Sequence, residues 1–239
     1  MKYVLMIILT KDDFLKTYII KKFGKRFLDS HLIQFPLKGN INLSRIVSYL
    51  TFDGHLAERL SMFLFTAGKK EDLHECKNLV KNEFGLDGKF KKIDTNMYGT
   101  SYEYRIISKP ISRILELIGV PKGNKVIKKF RVPLWIKNNK KLSISYLKVA
   151  FHCEGSMWKE PGRIRIRFKI GKDEKIVNNG ILFMDDIRFM LKKLNILTTK
   201  IWTINGNTRK NGGFTLYISF DIKAQDVNKF MEVIGFSKY

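Results

Sequence analysis

The sequence has few cysteines and histidines and no long apolar run. Cys76 and Cys153 are the only cysteines among 239 residues, and together with four scattered histidines they show no spacing typical of zinc ligands. A zinc site is therefore not expected, and two separated cysteines do not predict a disulfide in a reducing compartment. No stretch approaches the roughly 20 apolar residues that cross a bilayer, and the start, MKYVLMIILTKDD, is a poor match to a signal peptide. We expect an intracellular protein that does not enter a membrane.

Acidic residues are also scarce relative to basic ones. Lys and Arg total 45 against 22 Asp and Glu, which gives a net charge of +23. Hydrophobic residues make up 44% of the chain, enough to bury a substantial core rather than remain disordered. A folded chain this basic favours nucleic acid as its partner, and an anionic membrane surface second.

The stretch GRIRIRFKI at 162–170 places basic and apolar residues in strict alternation. Side chains of a strand point to opposite faces in turn, so one face is expected to be apolar and the other cationic. Like charges about 7 Å apart repel by roughly 0.6 kcal/mol even at the dielectric constant of water, so the row does not serve the stability of a sheet. A solvated face and a surface for a polyanion both remain open. The apolar face is Ile164, Ile166, Phe168 and Ile170, and the basic face is Arg163, Arg165, Arg167 and Lys169.

The periodicity of apolar residues predicts two halves with the same order of helices and strands. In the first half the elements are expected at 42–53, 58–66, 69–84, 88–94, 101–107 and 109–118. In the second half they are expected at 142–154, 162–170, 174–194, 198–205, 213–222 and 224–234. The first and last element of each half and the third are helices, and the others are strands. Helices combined with antiparallel strands in this order predict an α+β fold.

These elements also set the expected domain boundaries. Pro121 and Pro133 fix extended backbone in a lysine-rich stretch that is typical of a linker. We expect a first half at 41–119, a linker at 120–141, a second half at 142–239, and an N-terminal extension at 1–40 that the patterns do not place.

The leading helices of the two halves each end in an acid followed by glycine. IVSYLTFDG ends in Asp53-Gly54 and LKVAFHCEG ends in Glu154-Gly155. If these helices pack side by side, the two carboxylates emerge together at one end of the shared interface. Paired carboxylates attract hard divalent cations such as Mg²⁺.

These two stretches and several others resemble the LAGLIDADG homing endonucleases of the single-chain, two-repeat type. The resemblance covers about residues 41–239 and extends to FLFTAGKKEDL, GVPKGNKVIKKFRVPLWI, GNTRKNGGFTLYISFDI and FMEVIGF. It implies two pseudo-symmetric αββαββα halves that form a saddle with antiparallel sheets gripping duplex DNA. It also implies a monomer with a long asymmetric target site, in the cytoplasm or nucleoid of a prokaryote, archaea included, or in an organelle matrix.

The resemblance implies a function and a set of site residues. The activity is site-specific double-strand cleavage in intron homing, a phosphodiester hydrolysis in which Mg²⁺, or Mn²⁺ as a substitute, is held at Asp53, Gly54, Glu154 and Gly155. Basic residues beside the metal are expected at Lys69 or Lys70 and at Lys169 or Lys172, although an ordinary phosphate contact suits each of these lysines equally well. Ser48 and Val149 stand where the family often has glycine or alanine, and Thr51 and His152 where it usually has an acid.

DNA-binding residues are expected on the open sheet faces of both halves. In FTLYISFDI the apolar Phe214, Leu216, Ile218 and Phe220 are expected inside. The expected contacts in the second half are Arg163, Arg165, Arg167, Lys169, Lys200, Trp202, Arg209, Lys210, Thr215, Tyr217 and Ser219. Those in the first half are Lys89, Lys91, Tyr102, Tyr104 and Arg105.

The main alternative is a nuclease-inactive relative that binds nucleic acid, such as an RNA maturase that assists intron splicing and has intron RNA as its partner. An intein is not expected, because Met1 is no splicing nucleophile and IGFSKY lacks a terminal His-Asn pair. A transcription regulator would need a helix-turn-helix, and TKDDFLKTYIIKKFGKRFLD contains only one helix-like segment.

Overall fold

The computed structural model describes residues 6–18, 34–96, 99–209 and 212–235. The chain forms two compact units, which divide between Gly123 and Asn124. Each unit contains a four-stranded antiparallel sheet with helices packed against one face. Within the described ranges, no helix has the length and apolar character needed to cross a membrane.

The first unit contains a two-stranded sheet, a four-stranded sheet and four helices among its described residues. Its four-stranded sheet has the order β3-β4-β6-β5, and β1 pairs with β2 separately. The elements are β1 (Ile7–Leu9), α1 (Lys11–Thr17), β2 (Leu37–Lys38), α2 (Ile41–Thr51), β3 (Gly54–Leu56), β4 (Phe63–Ala67), α3 (Leu73–Phe84), β5 (Lys89–Asn96), β6 (Gly99–Ile106) and α4 (Lys109–Leu117).

The second unit repeats this order. Its sheet order is β7-β8-β10-β9, the same arrangement as in the first unit, so the predicted α+β class and the αββαββα repeat are confirmed. Short 3₁₀ turns at Glu174–Ile176 and Ala224–Asp226 precede its last two helices. The elements are α5 (Leu134–Lys137), α6 (Lys140–Glu154), β7 (Gly155–Glu160), β8 (Arg163–Asp173), α7 (Val177–Lys193), β9 (Trp202–Thr208), β10 (Phe214–Asp221) and α8 (Val227–Val233).

Helices α2 and α6, which carry the motif acids, each begin at an asparagine cap. The Asn40 side chain accepts a hydrogen bond from the Leu43 amide at 2.8 Å, and that of Asn139 accepts one from the Leu142 amide at 3.2 Å. Such caps satisfy amides that the first turn of a helix leaves without partners. Helix α2 ends at Thr51, two residues before its acid, whereas α6 continues through its acid, Glu154.

The helix-to-strand junction has the same register in both units. Gly54 pairs with Phe65 across β3 and β4, and Gly155 pairs with Phe168 across β7 and β8. A side chain at Gly54 would lie 2.8 Å from the Leu64 carbonyl oxygen, so only glycine fits this approach.

Aromatic rings continue both junctions into the core. Phe65 stacks on Tyr104 at 6.5 Å between centroids, and Phe168 stacks on Phe220 at 5.7 Å. All four rings are buried, and the helices cover this inner face of each sheet.

Most residues predicted to face the core of the second unit do so. Ile166, Phe168, Ile170, Ile218 and Phe220 are buried, while Ile164 and Leu216 are half-buried. The prediction is wrong for Phe214, which is 51% exposed because it lies at the end of β10 opposite Thr208.

The sequence-based prediction lacked the short strands β3 and β7. The pairing of Glu160 with Arg163 leaves Pro161-Gly162 as a two-residue hairpin loop, with Gly162 at φ +76°. Pro-Gly between two extended segments is a turn signal that identifies this hairpin.

The stretch predicted as a linker packs against the second unit from Asn124 onward. The Val126 carbonyl accepts from the Asp173 amide at 2.9 Å, and the Asn179 side chain accepts from the Phe130 amide at 2.9 Å. The carboxylate of Asp186, 3% exposed, accepts from both Arg131 and Lys137.

Part of the N-terminal extension belongs to the first unit. Ile7 of β1 pairs with Lys38 of β2, and Phe14 of α1 is fully buried. The Tyr18 hydroxyl donates to the carboxylate of Glu116 on α4. These contacts give residues 6–18 and 34–40 a structural role in the first unit.

Candidate nucleic-acid interface

The sheet of the second unit has an open face, opposite its helices, that we call the second open face. Directly paired residues of antiparallel strands lie on the same face, so the registers identify its members. They are Ser156, Trp158 and Glu160 of β7, Arg163, Arg165, Arg167, Lys169, Gly171 and Asp173 of β8, Thr215, Tyr217, Ser219 and Asp221 of β10, and Trp202 and Ile204 of β9.

The basic row predicted for one face of β8 is present, and two carboxylates from neighbouring strands lie beside it. Glu160 Oε2 lies 2.6 Å from Arg163 Nη2 and 3.1 Å from Arg165 Nε. Asp221 Oδ1 lies 2.8 Å from Arg167 Nε. The acids come from the neighbouring strands, because Glu160 is in register with Arg163 and Asp221 with Arg167.

The Glu160 carboxylate is held in its charged form. A hydrogen bond from the Trp158 indole N–H, followed by those from Arg163 and Arg165, lowers the pKa of Glu160 to about 2. The indole nitrogen lies 3.1 Å from Glu160 Oε1. The network therefore persists in mildly acidic solution.

The Arg167 guanidinium is enclosed by aromatic rings as well as by a carboxylate. It lies 4.9 Å from the Trp158 ring centroid and 5.1 Å from the Trp202 centroid. Asp221, 3% exposed, accepts from Nε at 2.8 Å and from Nη2 at 3.3 Å, and these bonds raise the pKa of Arg167. The side chain of Arg167 is still 31% exposed.

Three other predicted contacts lie on this face in different environments. The Lys169 ammonium lies 4.7 Å from the Tyr217 ring centroid, and Lys169 is exposed. Ser219 is fully buried, and its hydroxyl has no hydrogen-bond partner among the described residues. The prediction of a DNA contact for Ser219 is therefore wrong, because its register neighbours Lys169 and Trp202 carry larger side chains on the same face.

The remaining predicted contacts of the second half lie at the ends of its strands. Lys200 is exposed just before β9, and Thr215 is half-buried in β10. Arg209 forms an ion pair with the buried Asp173. Lys210 lies outside the described residues.

The open face of the first unit, which we call the first open face, has different chemistry. Its central register row is His55, Leu64, Arg105 and Lys89, with Glu103 and Lys91 in the next row. Arg105 Nη2 lies 2.7 Å from Glu103 Oε2.

Two tyrosines predicted to read DNA belong to the other side of this sheet. Tyr104 is fully buried, and its hydroxyl donates to Asp87 at 3.0 Å and accepts from the Gly88 amide at 2.7 Å. Tyr102 is in register with Ala67, on the same side as Tyr104. Both predictions are wrong because the alternation of β6 turns these residues inward.

Lys69 and Lys172, the predicted basic residues beside the metal, are placed very differently. Lys69 is exposed, whereas Lys172 is 2% exposed and belongs to the inner face of β8. The Lys172 ammonium donates to the carbonyls of Lys125 at 2.6 Å and Lys128 at 3.0 Å, and lies 3.6 Å from the Phe130 centroid. Burial, followed by the charge of Lys125, lowers the pKa of Lys172 to about 7. This position does not fit a phosphate contact on the open face, whereas the alternatives Lys70 and Lys169 are exposed.

The motif acids provide hard oxygen donors at helix ends. Asp53 is exposed and Glu154 is half-buried. The partial negative charge at the end of each helix adds to that of the carboxylate, so a cation is favoured there, and oxygen donors suit Mg²⁺ or Mn²⁺. Among the described residues no three His, Cys, Asp or Glu side chains form a group that could hold a metal ion. Phosphate oxygens and water would have to complete the coordination, as is usual for Mg²⁺.

The fold is similar to that of a known nuclease. The structure matches the homing endonuclease I-WcaI bound to its DNA recognition sequence over 97% of this chain and 96% of that one, with a TM-score of 0.52 and 12% identity. The chain has the LAGLIDADG homing endonuclease fold. In this LAGLIDADG fold the motif positions Ser48, Thr51 and Val149 are all buried, and the Thr51 hydroxyl donates to the Val47 carbonyl at 2.7 Å.

Sequence comparison matches the chain to parts of longer proteins that are not named as nucleases. The chain is 27% identical over 210 residues to the tRNA-splicing ligase RtcB of Methanopyrus kandleri, covering 81% of this chain and 20% of the relative. It is 31% identical over 195 residues to the DNA-directed RNA polymerase subunit Rpo1N of Methanocaldococcus jannaschii, covering 71% of this chain and 14% of the relative. The chain thus spans a fifth or less of these two curated relatives. No family model matches the chain.

Proposed function

We propose that this chain is a member of the LAGLIDADG family and a site-specific double-strand DNA endonuclease. The observation that carries the proposal is the repeated junction of acid, glycine and paired phenylalanine, in a fold shared with the homing endonuclease I-WcaI. Asp53 and Glu154, each with the glycine that follows it, would hold divalent metal, Mg²⁺ or Mn²⁺. Metal bound there would lower the pKa of water and neutralise charge on the scissile phosphate.

The partner we propose is duplex DNA with a long asymmetric target. The net charge of +23 supports strong binding to phosphates with steep salt dependence. The asymmetry follows from the two open faces, because Leu64 and Arg105 in the first correspond in register to Arg167 and Asp221 in the second. Since one chain supplies both repeats, we propose a monomer, acting inside the cell where DNA is found.

The activities named for the sequence relatives are not proposed for this chain. Similar segments occupy 20% of an RNA ligase and 14% of an RNA polymerase subunit, two proteins of unrelated activity. A segment carried by unrelated proteins is typical of a self-contained module. This distribution supports a module with an activity of its own.

The second candidate is a nuclease-inactive relative that binds nucleic acid, such as an intron RNA maturase. Val149, 2% exposed, places a branched side chain at a motif position where the family often has glycine or alanine, and Thr51 and His152 replace a usual acid. These changes favour a binding role without cleavage if they disturb the motif helices.

The decisive experiment selects cleavable sites from a randomised duplex library with Mg²⁺. We expect the wild-type chain to enrich one long site and to cut both strands. Asp53→Asn or Glu154→Gln should reduce double-strand cleavage by about 100-fold or more while DNA binding persists. Each substitution keeps the shape of the side chain but removes the negative charge that would hold the metal. Glu232→Gln, at an exposed acid of α8 outside both motifs, is the matched control and should cut normally. Tight binding without cleavage, even with Mn²⁺, would support the maturase candidate instead.

A further inference from the structure

We infer that Arg167 determines base specificity by reading one guanine in the half of the target that the second unit contacts. This inference rests on the proposed DNA-binding function. Arg167 lies in β8, a central strand of the second open face, in the register row that also holds Ser156 and Asp221.

The hydrogen bonds of Arg167 leave one edge of its guanidinium for a ligand. A guanidinium carries five N–H donors. Asp221 takes the Nε donor and one Nη2 donor, and no other described residue accepts a hydrogen bond from Arg167. The donors that remain lie on Nη1 and Nη2, at the tip of the side chain. Two parallel N–H groups at this tip match two acceptors in one plane.

The surroundings of Arg167 fix the orientation of that edge. Rings of Trp158 and Trp202 lie 4.9 and 5.1 Å from the guanidinium, and the Trp158 indole is itself bonded to Glu160. Asp221, 3% exposed, holds the adjacent edge through Nε and Nη2. A side chain fixed in this way loses little conformational freedom on binding.

The ligand that fits a fixed pair of donors on an open sheet face is guanine. Its O6 and N7 atoms accept two hydrogen bonds from arginine in the major groove, and this pairing discriminates among bases. A phosphate also accepts from arginine, but phosphate contacts need no such fixed orientation and carry no sequence information. Arg163, with a side chain 51% exposed and bound by Glu160 alone among the described residues, suits a phosphate contact.

The corresponding position of the first unit holds no arginine. Leu64 holds the register position that corresponds to Arg167, since each residue immediately precedes the phenylalanine paired with the junction glycine. We therefore expect the loss of Arg167 to change base preference in one half of the target only.

The test measures base preference with chains that bind but do not cut. In an Asp53→Asn, Glu154→Gln background, binding sites are selected from the randomised duplex library for Arg167→Met, Asp221→Asn and the control Arg188→Met, whose arginine lies on α7 and pairs with Asp185. Arg167→Met should lose a guanine preference at one position by about 10- to 100-fold, because methionine has no N–H donors. Asp221→Asn should weaken the same preference, because the fork loses its fixed orientation. Arg188→Met should keep every base preference.

A change in the DNA keeps the inference testable if a variant folds poorly. Replacing the preferred guanine with 7-deazaguanine removes the N7 acceptor without altering the protein. The chain with Arg167 intact should lose affinity for this duplex, and Arg167→Met should show little further loss. An unchanged preference in Arg167→Met, or an equal loss of affinity for all sequences, would overturn the inference while leaving DNA recognition intact. A chain that enriches no sequence at all would overturn both the inference and the proposed function.

Discussion

The two units have the same topology and similar inner sheet faces, but their open faces differ. Inside, the stacked pairs Phe65–Tyr104 and Phe168–Phe220 occupy corresponding positions. Outside, the register pair Leu64–Arg105 in the first unit corresponds to Arg167–Asp221 in the second. Packing restricts the inner face, because a close-packed core admits few changes in volume. The basic side chains of the open faces are exposed or half-buried, so they are available for recognition of different ligand surfaces.

The largest effect on stability is expected from removing a buried aromatic ring from the inner sheet face of either unit. Phe65→Ala and Phe168→Ala should each lower the free energy of unfolding by about 3–5 kcal/mol, because both rings are buried. All three tryptophans, Trp135, Trp158 and Trp202, belong to the second unit. Denaturant unfolding followed by circular dichroism measures both variants, and tryptophan fluorescence follows the second unit alone.

Phe168→Ala should therefore shift the fluorescence transition. Exchange of an exposed aromatic residue, Phe214→Ala, is the matched control and should have little effect. A cost below about 1 kcal/mol for either core variant would contradict the equivalence of the two inner faces.

The shared core could be predicted from the sequence because its signals are local. Alternation in GRIRIRFKI fixed which residues of β8 face inward, and the same alternation continued past Ile170 places Lys172 inside. The predicted strand ends at 170 and therefore leaves out Lys172, although β8 continues to Asp173. The motif acids were identifiable because each precedes a glycine at the end of an apolar helix.

The partners of the basic row could not be predicted in the same way. Glu160 and Asp221 reach the arginines only through the pairing of β8 with β7 and β10. Their distances in sequence from Arg165 are 5 and 56 residues, and periodicity carries no information on such pairing. The exception is the hairpin around Pro161-Gly162, whose turn signal would have brought Trp158 and Glu160 to the face.

A smaller effect, confined to one unit, is expected from Lys172. Lys69 and Lys172 each follow the junction phenylalanine by four residues, but only Lys172 is buried. The pKa of Lys172, about 7, lies below that of a lysine in the unfolded chain. Above pH 7 the unfolded chain therefore binds more protons than the folded chain does. This group should therefore raise the free energy of unfolding by about 2 kcal/mol between pH 7 and pH 9.

Measuring unfolding across this pH range in Lys172→Met and Lys69→Met tests the difference. Lys172→Met should lack the rise that the wild-type chain shows, and Lys69→Met should keep it. Equal pH profiles for the wild-type chain and Lys172→Met would show that the Lys172 ammonium is not buried as described.

The smallest effect is expected from the acids on the open faces. Glu160 binds two arginines and an indole, whereas Glu103 binds one arginine, Arg105. Because the pKa of Glu160 is lowered to about 2, its stabilising contribution is present above the pKa of an unfolded glutamate and is lost as the pH falls through about 2. Glu160→Gln should therefore unfold more readily than the wild-type chain at pH 4 to 7, and the gap should close toward pH 2. Glu103→Gln, the matched variant of the first unit, should show a smaller gap, and a larger gap for Glu103→Gln would reverse the proposed difference between the two open faces.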